Sequence, residues 1–167
     1  MKQIASTEGY WFKTDCDGNG VKDYWTADVA GFYGVLDKDG KPLKLIDRLP
    51  AASDSAPFSQ YPGMSTGQPH QGYLIAAILR DERGRSYRMD EDGDGEATTN
   101  PVKFGFCLYP AVYGATVFSH PPDRGLEDVT TFTYFVNEKG MPHRMDTGGK
   151  PLTDWPTGHD NCDNGNG

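Results

Sequence analysis

The densest chemistry in the chain is a nonapeptide, Asp15-Cys16-Asp17-Gly18-Asn19-Gly20-Val21-Lys22-Asp23, which places an oxygen-bearing group at every second position of one short loop. Alternating carboxylates and carboxamides suit a hard cation. Ca2+ takes about six to eight oxygens, and helix-loop-helix calcium loops draw them from loop positions 1, 3, 5, 7 and 9. Asp15, Asp17, Asn19, the Val21 carbonyl and Asp23 fall on those positions, with Gly20 at the sixth, where the chain must turn sharply. The twelfth position, where that motif carries a bidentate Glu, holds Thr26. The loop is one carboxylate short.

A second stretch repeats the pattern: Asp90-Glu91-Asp92-Gly93-Asp94-Gly95-Glu96, with acids at positions 1, 3, 5 and 7 and glycine at position 6. Its ninth residue is Thr98 and its twelfth Pro101. Ca2+ is therefore expected on Asp15, Asp17, Asn19, Val21 and Asp23, and on Asp90, Asp92, Asp94 and Glu96. The plain alternative for both is a solvated Asp/Gly turn. Asp37-Lys38-Asp39-Gly40-Lys41 reads as such a turn, since Lys41 and Pro42 stand where later ligands belong.

Catalytic constellations are not evident. Gly63-Met64-Ser65-Thr66-Gly67 has the spacing of a hydrolase nucleophile elbow, but Pro62 before it and Pro69 after it leave no strand and no helix to form the elbow. His70, His120, His143 and His159 lack the two-His spacing of a zinc helix. No nucleophile, base and orienting group can be assembled from spacing, so the chain is not expected to be an enzyme.

The elements that must position the first loop are legible from periodicity. Residues 2–13 space Ile4 and Trp11 two turns apart, which predicts a short amphipathic helix leading into the loop. Trp25, Val29 and Phe32 behind Thr26 predict a second short helix over 26–33, and Leu45, Ile46 and Leu49 a third piece within 43–52. A Ser/Pro/Gly-rich loop over 53–71 follows. Strands are then expected at 73–79, at 104–109 and at 131–136, the last two with one buried face each. Asn137-Glu138-Lys139-Gly140 turns the chain into an edge arm at 143–145. Helices first and antiparallel strands afterwards make an α+β fold: an N-terminal helix and short helices packed on an antiparallel sheet, rich in loops. Residues 1–155 are expected to form a single domain and residues 156–167 a polar tail.

Composition narrows the function. In 167 residues, 21 Gly and 12 Pro with a hydrophobic share of 36% indicate many turns around a modest core. A formal net charge of -8 argues against nucleic acid and anionic membrane as partners. No apolar run approaches the roughly 20 residues of a bilayer span. Cys16 and Cys107 flank expected core elements while Cys162 lies in the tail, so a Cys16–Cys107 disulfide is expected. Modest calcium loops fill only at millimolar calcium, outside the cell, where disulfides also persist. The expected location is extracellular or at the cell surface.

Several stretches also resemble bacterial secreted proteins of uncharacterised function whose head is similar to the globular part of type IV pilins and pseudopilins. They are Gln3-Ile4-Ala5-Ser6, the first loop with Asp23-Tyr24-Trp25-Thr26-Ala27-Asp28-Val29-Ala30, Lys103-Phe104-Gly105-Phe106-Cys107 with Tyr109-Pro110-Ala111-Val112-Tyr113-Gly114, and Phe132-Thr133-Tyr134-Phe135-Val136-Asn137-Glu138-Lys139-Gly140. The resemblance implies an N-terminal helix on an antiparallel sheet and a role in extracellular fibres or secretion apparatus. It departs from pilins in having only a short polar helix before the first loop. The function expected is a structural subunit of an extracellular filament or surface appendage, a homopolymer stabilised by calcium. A calcium-dependent adhesin or carbohydrate-binding module, or a pseudopilin-type secretion component, is the alternative. The missing ligands of each loop would come from the same chain, for instance Asp28 or Glu127, or from a neighbouring subunit.

Overall fold

The structure, a computed structural model, describes residues 1–37, 39–58, 61, 63–88, 97–118, 127–129 and 131–158. In chain order the elements are α1 (Lys2–Thr14), β1 (Tyr24–Trp25), α2 (Gly31–Gly34), α3 (Arg48–Ala52), β2 (Tyr73–Ala77), β3 (Thr99–Asn100), β4 (Gly105–Pro110), β5 (Thr116–Phe118), β6 (Glu127–Val129), β7 (Phe132–Asn137) and β8 (His143–Asp146). The main sheet is antiparallel in the order β2-β4-β7-β8, so β8 is an edge, as its short polar arm requires. Two small ladders, β1 with β3 and β5 with β6, complete an α+β fold. Among the described residues no helix is long and apolar enough to cross a membrane.

α1 buries Ile4, Thr7, Glu8 and Trp11, spaced as one helical stripe. Trp11 carries that stripe to the sheet through neighbouring rings. It lies 5.1 Å from Trp25 and 6.3 Å from Phe32, centroid to centroid, and Phe32 lies 5.8 Å from Phe106 of β4. Ile75, Phe104 and Val136 belong to the same cluster. Fully burying a side chain of this size contributes about 1.5–3 kcal/mol.

The sheet departs from the expected one-sided burial. β4 and β7 are covered on both faces, because Phe106 and Val136 point to the α1 cluster while Cys107 and Phe135 pack on the other side with Ile78, Tyr87 and Trp155. The cover is the C-terminal segment, which returns beside residues 79–80: Leu79 N–H donates to Thr153 O at 2.9 Å and Trp155 N–H to Arg80 O at 2.8 Å. Strand alternation reports which residues share a face. It does not report that a distant tryptophan will cap the second one.

Two helices are shorter than their periodicity suggests. α2 begins at Gly31 rather than Thr26 because Thr26 N–H donates to Thr98 O at 2.8 Å, extending the β1–β3 ladder, and Asp28 Oδ1 accepts the Gly31 N–H at 2.6 Å. α3 begins at Arg48, which puts Pro50 in its first turn, where a missing N–H costs nothing. Gly31 and Gly34 of α2 are required by close approach: a Cβ on Gly31 would stand 2.3 Å from the Trp25 ring, and one on Gly34 would stand 2.2 Å from the Tyr61 ring.

The expected Cys16–Cys107 bridge is not formed. Both thiols are free and buried, Cys16 in the cluster around Trp11 and Cys107 on the opposite face of the sheet. Phe106 takes the inward position of β4 toward α1, so its neighbour Cys107 must face away, where its Sγ accepts the Leu152 N–H at 3.4 Å. Burial pushes the Cys107 thiol up to about 12 and, aided by the Asp17 and Asp15 charges, the Cys16 thiol up to about 11. Thiolate is the reactive form, so iodoacetamide at mildly alkaline pH is expected to leave both unlabelled until the protein is unfolded. A peptide linking Cys16 to Cys107 in a non-reduced digest would show the opposite arrangement.

Candidate metal centre

α1 ends where the first acidic loop begins, and Asp15 belongs to both. It adopts the left-handed conformation (φ 49°, ψ 64°), and its N–H closes the last helical turn on Trp11 O at 3.2 Å. An Asp can take the place usually given to Gly or Asn at a helix C-terminus because its short polar side chain tolerates that region. Asp15 Oδ2 then accepts the Gly20 N–H at 3.0 Å, closing the loop on its first residue. Gly20 at φ 80° makes the sharp turn expected of the sixth position.

Two of the predicted carboxylates meet at Asn19. Its Nδ2 donates to Asp17 Oδ2 at 2.9 Å and to Asp23 Oδ2 at 3.3 Å, and its Oδ1 accepts the Val21 N–H at 2.7 Å. The carboxamide N–H groups thus sit between two carboxylates. A half-turn of the amide would exchange Nδ2 for Oδ1 and turn a donor toward the carboxylates into an oxygen ligand. Asp23 is buried and held from behind by Trp11 Nε1 at 3.4 Å, while Val21 is half exposed. Asp15 Oδ1 is buried without a partner. Burial, then the charges of Asp23 and Asp15, push the Asp17 carboxyl above its ordinary value, against the Asn19 N–H bonded to it. As they stand, no three His, Cys, Asp or Glu side chains among the described residues are gathered closely enough to hold a metal. Asp15, Asp17 and Asp23 with Asn19 and the Val21 carbonyl are nevertheless the donor set that a hard cation takes.

Sequence reasoning missed Glu8. It is fully buried on α1, its Oε2 accepts the Trp25 N–H at 3.1 Å, and its Oε1 has no partner. Burial raises its carboxyl well above the usual range, and the neighbouring Asp23 charge adds to that, against the Trp25 N–H. Glu8 and Trp11 are one turn apart on α1, so the helix reaches both the β1 backbone and the last loop carboxylate. The helical spacing Ile4, Glu8, Trp11 carried the signal, but a Glu on an apolar stripe reads as a solvated edge until its partner on β1 is known.

Other expected contributors lie elsewhere. Thr26, at the twelfth position, is buried and its hydroxyl donates to Thr98 O at 3.2 Å. Asp28 is buried just ahead of α2, where its Oδ1 accepts the Gly31 N–H. Asp90, Asp92, Asp94 and Glu96, with the tail beyond residue 158, lie outside the described residues, as does the Glu127 side chain. Asp37 Oδ1 accepts the Asp39 and Lys41 N–H groups at 2.9 Å each, the arrangement of a plain Asx turn. Compared with protein-family models, curated proteins and solved structures, the chain matches none of them.

Proposed function

We propose that this chain is a structural subunit of an extracellular filament or surface appendage, similar in its head to type IV pilins and pseudopilins, and that Ca2+ in its Asp-rich loops holds both the subunit and its contacts with further copies. The observation that carries this reading is the 15–23 loop. Directly off the end of α1, two of its carboxylates, Asp17 and Asp23, share the Asn19 carboxamide N–H groups, and Asp15 closes the loop on the Gly20 N–H. Five loop oxygens fall short of the six to eight that Ca2+ takes, and the twelfth-position residue is turned away, so water or a neighbouring copy must supply the rest. A helix that reaches an antiparallel sheet through Trp11 and the rings beside it supports the pilin-like half of the reading. A heterologous contact of this kind generates an open filament where the rotation does not close.

Light scattering at high protein concentration tests the assembly. Growth on adding Ca2+ that a chelator reverses is the expected result. A monomer at every calcium concentration, with intact termini, would remove the filament and leave the adhesin.

A further inference from the structure

α2, Pro42, Lys44, Arg48 of α3 and Gly63 are among the lining of a cleft of about 730 Å3. Its walls are mainly apolar and aromatic, from Tyr33, Val35, Leu36, Tyr61 and Met64 together with Trp25. Gly34 forms part of the wall, and the absence of a side chain there admits the Tyr61 ring. A cleft of this size, apolar with a few convergent polar groups, has the form of a small-molecule site.

Its charge is the reverse of the molecule's. Acids outnumber bases 24 to 16 along the chain, yet the residues lining the cleft include Lys44 and Arg48 and no Asp or Glu. Neither cation has a carboxylate partner among the described residues. Lys44 lies 6.0 Å from the Tyr33 ring centroid, and Arg48 donates one N–H to Gly63 O at 3.0 Å, which fixes the guanidinium and leaves its other donors open. Lys44 is also held at φ 50°, a left-handed conformation that non-glycine residues rarely adopt. Its flanks impose this: Leu43 N–H donates to Val35 O at 2.8 Å and Leu45 N–H to Phe32 O at 2.7 Å.

We propose that this cleft binds a small organic anion, a carboxylate on an acyl or aryl body. The body fills the aromatic cleft and the carboxylate meets Lys44 and Arg48. A neutral ligand would leave both cations without a counter-charge, and a bare inorganic anion would leave the apolar walls wet. This assignment is independent of calcium.

Isothermal titration with phenylbutyrate, with phenylbutanol as its neutral counterpart, tests it on the intact chain. Expected is saturable one-site binding of the acid, tighter than the alcohol by about tenfold or more, the worth of one charge-assisted hydrogen bond. In the Lys44→Asn, Arg48→Gln double variant that preference should vanish; Asn tolerates the left-handed backbone at position 44. The comparison of acid with alcohol on the unaltered protein stands even where the variant fails to fold. No saturable heat, or equal binding of acid and alcohol, overturns the proposal.

Discussion

Calcium at about 10 mM should raise the melting temperature by roughly 5–10 °C, and Asp17→Ala should remove the first loop's share of that rise. The size follows from linkage. A ligand at about 100 times its dissociation constant stabilises by about 2.7 kcal/mol, and each kcal/mol moves a domain of this size by about 2–4 °C. At the tight end of the range of extracellular calcium modules, about 0.1 mM, a concentration of about 10 mM is that hundredfold excess. Asp17 is the informative position because its carboxylate sits beside Asp15, Asp23 and the Asn19 amide. Losing it removes one proposed ligand and the 2.9 Å acceptor of Asn19, but it also relieves repulsion among the carboxylates. The calcium-free baseline should therefore move by less than about 1 kcal/mol. Magnesium at equal concentration should give a smaller shift, since it demands a tighter octahedral set, and sodium chloride at equal ionic strength separates screening from binding. An unchanged calcium shift in Asp17→Ala and in Asp92→Ala alike would reduce both loops to ordinary turns.

That experiment tests a site read from spacing alone, and spacing can be read there because the chemistry is local. Alternate oxygens, a glycine at the turn and a helix directly before them need no knowledge of the rest of the chain. The same locality exposed α1, the strands at 73–77, 105–110 and 132–137, and the edge arm at 143–146, each carried by periodicity within one segment. The features that escaped depend on partners far along the sequence. Glu8 is buried because β1 offers it the Trp25 N–H, 17 residues on. The second face of the sheet is buried because Trp155 returns to it, and that return is also why Cys107 is committed to Leu152 and Trp155 rather than to Cys16. α2 starts later than its periodicity predicts because the Thr26 N–H is taken by Thr98 O, 72 residues on. In each case a backbone N–H or carbonyl was satisfied across the fold, and periodicity carries no record of that.

Asp54 shows the same dependence at its strongest and gives the largest expected loss of stability. It sits just beyond α3, is 1% exposed, and accepts three backbone N–H groups: Val29 at 2.7 Å and Ala30 at 3.1 Å on Oδ2, and Ala56 at 3.1 Å on Oδ1. It thereby ties the chain entering α2 to the segment leaving α3. Asp54→Ala orphans all three, which should cost about 3–5 kcal/mol. The sign of its pH dependence is unusual. Burial, and then the Asp28 charge, raise its carboxyl from 3.8 to about 6, although the Ala30, Val29 and Ala56 N–H groups oppose the rise. Arg88 is the cation of this cluster, its charge coupled to Asp28 and Asp54. A carboxyl raised on folding adds stability that is complete below its unfolded value and fades as pH rises through its folded one. Asp54 should therefore stabilise the protein by up to about 3 kcal/mol more near pH 4 than near pH 7. Asp81 works in the other direction: against its own burial, the Arg85 side chain, the Arg85 and Arg83 N–H groups and Lys103 hold its carboxyl well below the usual range, so its contribution is lost on acidification. Comparing the wild type with Asp54→Asn isolates the first effect. The amide keeps an acceptor for Val29 and Ala30 but cannot titrate, so the wild type should gain on the variant steadily as pH falls from about 7.5 to 5. A difference between the two melting temperatures that stays constant over that window would mean that Asp54 titrates as an ordinary exposed carboxyl, despite its burial.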